Sequence, residues 1–291
     1  MNHDETPPGA GAGDGPAAAG LFNSGHKAER AGLFEEARRA YEAALVESPE
    51  QHPWHYRLGC VYLKSDEPLA AELCFRRALE LEPMTGSYWT NLGVSLDRQG
   101  RLDEAVQAYR KAVHTGKGTP VAFHNLGAIY AEQGRAPEAI RSFEAAIALS
   151  PDAEVYLHLG MVHYAEDDFL RALDCFERSV ECDSRFARGH YFAALCLMKR
   201  GIYDRACARF ELAWKLDPRL ARVPFHMGVC LHKMERFEQA RFSLEQALEF
   251  FPDDGRLHYQ LALTYDALGR PQEARLHYSQ ARAARESDGT G

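Results

Sequence analysis

A spacing of 34 residues constrains this chain more than any other feature. The stretch NLGVSLDRQGRLDEAVQAY (91–109) has a counterpart 34 residues earlier in YRLGCVYLKSDEPLAAELCF (56–75) and another 34 residues later in HNLGAIYAEQGRAPEAIRSF (124–143). Aligned on Gly93, one column reads Gly25, Gly59, Gly93, Gly127, Gly160, Ala194, Gly228 and Ala262. Twelve positions on comes alanine without exception: Ala37, Ala71, Ala105, Ala139, Ala172, Ala206, Ala240 and Ala274. Four beyond that lies a large ring or Leu: Tyr41, Phe75, Tyr109, Phe143, Phe176, Phe210, Leu244 and Tyr278. Three further on is a second small column, Ala44, Ala78, Ala112, Ala146, Ser179, Ala213, Ala247 and Ala281. Proline then often closes the unit, at Pro49, Pro83, Pro151, Pro218 and Pro252, with Lys117 and Ser184 in that column elsewhere; the fifth unit starts one residue early. Each such unit is one supersecondary piece that buries its apolar face only against its neighbours.

Within a unit, apolar residues fall at helical spacing in two runs of about 12–14 residues, separated by a short break such as RQGR. Pro68, Pro137 and Pro271 stand where the second helix begins, a position that tolerates a missing amide hydrogen. Glycine inside the first helix costs roughly 1 kcal/mol relative to alanine. The expected compensation is close approach: the Gly or Ala column faces the alanine column of the second helix, and the ring fills the space beside them. A larger residue there overpacks the pair at a cost of about 1–3 kcal/mol.

The succession of a large residue, Leu-Gly, Tyr, Gly, Ala, aromatic, Ala and Pro over 34 residues resembles the tetratricopeptide repeat family, in a bacterial-type array. The resemblance implies an all-α fold, a right-handed superhelical solenoid of antiparallel helix pairs whose first helices line a concave groove. Eight repeats are expected over residues 18–286, at about 18–51, 52–85, 86–119, 120–152, 153–186, 187–220, 221–254 and 255–286. Residues 1–19, rich in Gly, Ala and Pro, and residues 287–291 are expected to be disordered tails. No separate capping helix follows the eighth repeat. Either the charged residues of ARLHYSQARAARE let its last helix face water, or that end meets a partner, a second copy included.

Composition narrows the functional classes. A net charge of −8 supplies no excess of Lys and Arg to displace phosphate counterions, which argues against a nonspecific nucleic-acid binder. Seven cysteines, an odd number with no C-x-x-C, all fall in helical stretches, the pattern of free thiols in a reducing compartment. The amino terminus carries acidic residues where a signal peptide has positive charge, and no run approaches eighteen apolar residues, so a cytoplasmic protein without membrane insertion is expected. No phosphate-binding loop, H-E-x-x-H, G-x-S-x-G or kinase-like motif occurs, so no enzymatic activity and no cofactor are expected. The best metal candidate, HMGVCLH, places His226 and Cys230 on one helical face with His232 pointing elsewhere; two ligands are too few for zinc, and Cys230 shares a column with Cys196 as a small packing residue.

The groove columns implied by the resemblance carry the remaining signal. One before the Leu of the LG pair stand Asn23, Arg57, Asn91, Asn125, His158, Phe192, His226 and Gln260. The three asparagines resemble the asparagine ladder of O-linked N-acetylglucosamine transferase arrays, where amides hold the backbone of an extended peptide; the alternative is that Asn is common in this repeat's consensus. Two before the Leu stand Phe22, Tyr56, Thr90, His124, Leu157, Tyr191, Phe225 and Tyr259, rings on the side expected to be wet unless adjacent repeats bury them. Five before it, Arg188, Arg222 and Arg256 recur in three successive repeats, in a first helical turn where a cation opposes the macrodipole. They meet acidic residues of a ligand, or pair locally with Asp183, Asp217 and Asp253. The Lys/Asn/Lys/Arg clamp of chaperone-tail-binding arrays is absent, the corresponding places holding Phe22, His26, Tyr56 and Cys60. The expected function is a non-enzymatic scaffold that holds an extended, acidic segment of a partner protein. The alternative is an adaptor that recruits substrates for a separate enzyme such as a glycosyltransferase, or that serves a secretion- or pilus-type assembly.

Overall fold

A computed structural model of the protein describes residues 15–115 and 119–288, with side chains through 286. The chain divides after Ser150 into two compact units. The first holds α1 (Pro16–Arg30), α2 (Phe34–Glu47), α3 (His52–Lys64), α4 (Pro68–Leu81), α5 (Gly86–Arg98), α6 (Leu102–His114), α7 (Pro120–Glu132) and α8 (Ala136–Leu149). The second holds α9 (Ala153–Ala165), α10 (Phe169–Cys182), α11 (Ala187–Lys199), α12 (Tyr203–Leu216), α13 (Val223–Lys233), α14 (Phe237–Leu248), α15 (Gly255–Ala267) and α16 (Pro271–Asp288). No strand occurs among the described residues. In each unit an odd-numbered helix packs most extensively on the even-numbered helix after it, and that helix on the next odd one. The result is an all-α, tetratricopeptide-repeat-like solenoid architecture of helix pairs.

The turn inside each pair is built the same way eight times. The second residue past the first helix adopts a left-handed conformation: Gly32, Asp66, Gly100, Gly134, Asp167, Gly201, Glu235 and Gly269, with φ between 58° and 75°. The next amide reaches back to a carbonyl five residues earlier, as in Arg101 N to Leu96 O at 3.0 Å and Arg236 N to Leu231 O at 2.9 Å. This is a Schellman closure, which satisfies carbonyls that the helix end leaves open. Glycine adopts the required conformation without a Cβ clash, and Asp tolerates it better than Glu does.

The nearest neighbour of the first-helix glycine is the large side chain of the second helix. A Cβ added to Gly93 would lie 2.5 Å from Tyr109 Cε1, and one at Gly59 would lie 2.6 Å from Phe75 Cε1. Gly25, Gly127 and Gly160 meet Tyr41, Phe143 and Phe176 in the same way, and Gly228 meets Leu244. The ring therefore lies across the glycine itself; at Gly228 the alanine column is also near, through Ala240 O at 3.3 Å. The rings are fully buried from Tyr41 to Phe210, as are the alanines behind them. Burial of a side chain this large is a main source of each repeat's stability.

A further column closes four of the eight repeats onto the one before. Three residues ahead of the Leu column, ring N–H groups reach the carbonyl of the closing position: His55 Nε2 to Pro49 O at 2.8 Å, Trp89 Nε1 to Pro83 O at 2.8 Å, His190 Nε2 to Ser184 O at 3.0 Å and His258 Nε2 to Pro252 O at 2.7 Å. Each carbonyl accepts a bond that the broken helix no longer supplies. The residue after the second small column supplies apolar contact to the next pair: Leu45 joins Trp54, Leu58 and Val61, and Leu248 packs beside Leu257 and Leu261. On α16 the same place holds Arg282, exposed and bonded to Glu286 at 2.8 Å. The apolar contact through which a second copy would stack is thus replaced by a solvated ion pair.

Part of each tail assigned from the sequence is helical. Residues 16–19 belong to α1, because Pro16 fits a first helical turn and Ala18 is buried with Phe22 and Tyr41. At the other end α16 continues through Asp288, with no helix breaker before Gly289. Residues 1–14 and 289–291, and Lys117 in the closing column, lie outside the described residues.

Two stability changes follow from these contacts. Glu235→Gly relieves a left-handed, exposed non-glycine residue and is expected to raise the urea midpoint by an amount equivalent to about 0.5–1 kcal/mol. Gly93→Ala gains about 1 kcal/mol of helix propensity but forces Tyr109 to move, at a cost of about 1–3 kcal/mol. Net destabilisation is expected in the same urea titration, and an unchanged midpoint would show that the ring yields freely.

Candidate partner-binding recess

The ring column organises the positions that the sequence assigned to the groove. Residues two before the Leu pack on the ring of their own repeat: Phe22 on Tyr41 at 5.2 Å, Tyr56 on Phe75 at 5.9 Å, His124 on Phe143 at 5.8 Å, Tyr191 on Phe210 at 5.9 Å and Tyr259 on Tyr278 at 5.9 Å between centroids. Residues one before the Leu meet the ring of the preceding repeat: Asn125 Nδ2 donates to the Tyr109 hydroxyl at 2.9 Å, Phe192 stacks on Phe176 at 5.4 Å and His226 stacks on Phe210 at 5.6 Å. Asn91 Nδ2 donates instead to the Tyr56 hydroxyl at 2.9 Å, since Phe75 offers none. The charge of Arg57 acts on Tyr41 and on the buried Glu29. Asn23 is exposed on α1, and His158 is half-buried on α9. The expectation of a wet ring column is corrected at Phe22, Thr90 and Leu157, which are buried because neighbouring helices cover them.

Two of the three arginines find partners other than those expected, and the third finds none among the described residues. Arg188 Nη1 lies 3.7 Å from Glu154, one repeat back, and Arg222 pairs with Asp254, one repeat forward. Asp183 instead accepts from the Arg185 amide at 2.9 Å, Asp217 binds Arg219 at 2.9 Å, and Asp253 is exposed. First-helix starts stand side by side in the stack, so a side chain there reaches the neighbouring start more readily than its own preceding turn. Arg256 has no carboxylate within 4 Å among the described residues.

In the second unit, six of the sequence-selected residues line one recess of about 1170 Å³: Arg222, Phe225, His226, Arg256, Tyr259 and Gln260. Its other walls are the Phe251–Gly255 turn and the end of α16 at Ala284 and Arg285, which lie outside the groove columns. Arg222 lies 4.0 Å over the Phe251 ring while it pairs with Asp254. Asp254 also caps α15, accepting from the amides of Arg256 at 2.9 Å and Leu257 at 3.2 Å. Burial would raise the Asp254 pKa, but Arg222 and the two amides outweigh it and hold the carboxyl below its ordinary range. On the recess floor, burial and then the nearby Arg222 charge push His226 down to about 4, so it is a neutral ring at pH 7. Cys230, four residues on, is fully buried beside Cys207, whose hydrogen bond together with burial holds the Cys230 thiol protonated. Among the described residues no group of three or more His, Cys, Asp or Glu is placed to hold a metal ion.

The His226 shift has a defined sign. The unfolded chain takes up this proton near pH 6.5, whereas the folded chain does so only near pH 4, so stabilisation present above 6.5 is lost as the pH falls toward 4. The loss amounts to roughly 3 kcal/mol at most. His226→Phe, which reproduces the Phe192–Phe176 stack, is expected to remove that share of the acid destabilisation, read as the difference between variant and wild-type urea midpoints across the same pH range. Parallel midpoints would mean that His226 titrates alike in both states.

Comparison with known proteins places these features in a family. Models of the tetratricopeptide repeat match residues 22–64, 56–120, 124–185 and 157–221, and a further one matches 219–287. The peroxisomal targeting signal receptor of Kluyveromyces lactis is 41% identical over 56 residues, a match that spans 19% of this chain and 10% of the receptor. A solved structure of MamA from MSR-1 is 28% identical, with a TM-score of 0.52, over 58% of this chain and 98% of that one. Pseudomonas aeruginosa pilF is 21% identical with a TM-score of 0.62 over 80% of this chain and 96% of that one, a likeness of fold. No helix among the described residues is long and apolar enough to cross a membrane.

Proposed function

Because the chain belongs to the tetratricopeptide repeat family, with models matching from residue 22 to residue 287 apart from three residues, we propose that this protein–protein interaction scaffold binds an extended segment of a partner in the recess of its second unit. The observation that carries this reading is the convergence there of Arg222, Phe225, His226, Arg256, Tyr259 and Gln260, two from each of three groove columns. At about 1170 Å³ the recess exceeds the roughly 300–1,000 Å³ that encloses a small molecule, which favours a peptide. Its lining combines the rings of Phe225, Phe251 and Tyr259 with Arg222, Arg256 and Arg285, and Tyr and Arg are residue types enriched at hot spots. The amides of Asn91 and Asn125 already donate to tyrosines of the first unit, so they contribute less to a ladder than the sequence suggests. The name of the Kluyveromyces lactis relative, a receptor for a targeting signal, is in keeping with segment recognition.

The test is affinity capture from native lysate by full-length wild type, by Arg256→Glu/Tyr259→Ala and by Asn91→Ala, read by mass spectrometry. Proteins held by wild type and by Asn91→Ala but lost with the recess variant are the expected outcome. The same set on all three chains would remove the recess as the binding surface.

A further inference from the structure

The recess carries more information than its volume, because two of its five charged side chains already pair with one another. Arg222 and Asp254 neutralise one another, and the Asp254 oxygens are further occupied by two amides. What remains are Arg256 and Arg285, neither with a carboxylate within 4 Å among the described residues, against the single exposed Asp253. A chain of net charge −8 thus holds a locally basic recess. Helix stability does not account for Arg256, since a cation in the first turn of α15 opposes the helix dipole.

The apolar wall is equally specific. In the first unit the ring two before the Leu is covered by an aromatic from the next repeat: Trp54 stacks on Phe22 at 4.8 Å and 12°, and Tyr88 stacks on Tyr56 at 4.7 Å and 27°. Tyr259 occupies the same column and lines the recess, yet no described residue stacks on it, and it is 47% exposed. Its edge-on contact with Tyr278 leaves it free to accept a ring on its face. The fold itself shows, at Phe22 and Tyr56, what this position takes.

We propose that the occupant is a partner segment in which an aromatic residue lies close to an acidic one, the ring stacking on Tyr259 and the carboxylate bound by Arg256 and Arg285. The assignment rests on the recess being the binding surface. Arginine suits this role because its planar fork pairs with a carboxylate through two parallel bonds.

A random peptide library displayed on phage, selected in parallel on the full chain as wild type, Arg256→Ala/Arg285→Ala and Tyr259→Ala, tests both halves. All three substituted side chains lie at the surface or half out of it, and thermal unfolding followed by circular dichroism checks that each variant folds. Wild type is expected to enrich peptides pairing an aromatic with Asp or Glu, the arginine variant to lose the acidic preference, and Tyr259→Ala to lose the aromatic one. A synthetic peptide from the wild-type pool is expected to bind the arginine variant at least about tenfold more weakly and with a flatter salt dependence. Wild-type peptides that need Tyr259 but show no acidic enrichment and bind the arginine variant equally would overturn the proposed chemistry while leaving the recess as the site. Peptides that bind all three chains alike, or no enrichment on wild type, would overturn both.

Discussion

A ring laid across a glycine is the contact on which the rest of the architecture depends. In six of the eight repeats the first helix surrenders a Cβ so that a ring, or in one case Leu244, can lie against its backbone at a distance no side chain would allow. That geometry fixes how closely the two helices of a pair approach. The same ring then meets the residue two before the Leu of its own repeat and the residue one before the Leu of the next. Pairing within repeats and stacking between them therefore share one side chain, and a repeat has no stable form without the neighbour that covers it.

Helix positions were legible in the sequence because periodicity at 34 residues repeats the same small, large and turn residues eight times, and each repetition constrains the others. The purpose of the glycine was harder to read. Column spacing puts Gly93 near Ala105 and Tyr109 alike, and only the side-chain direction of Tyr109 decides between them. The groove columns were harder still. Asn125 reads as a free amide until the hydroxyl of Tyr109, sixteen residues earlier, is seen beneath it, while Asn91 must look elsewhere because Phe75 has no hydroxyl. Such choices depend on the ring of another repeat, which no single column displays.

The recess shows the same limit from the other side. Arg222 and Arg256 share a column, yet Arg222 is tied to Asp254 and Phe251 while Arg256 is not. The difference lies in the Phe251–Gly255 turn and in the end of α16, segments that carry no groove column. Position within the repeat identifies candidate residues; the charge balance around each one separates those paired within the fold from those that are not.

The sharing of each ring across a repeat boundary also decides what the modular piece of this protein is. A cut at the closing column parts Tyr109 from Asn125 and Phe210 from His226, so a repeat moved to a new place brings a ring suited to a different neighbour. The segment that can be duplicated or transplanted intact runs instead from one ring, through the closing turn, to the residue ahead of the next Leu. Measured that way, the heritable module is out of phase with the helix pair: it begins partway along one hairpin's second helix and ends in the first helix of the next.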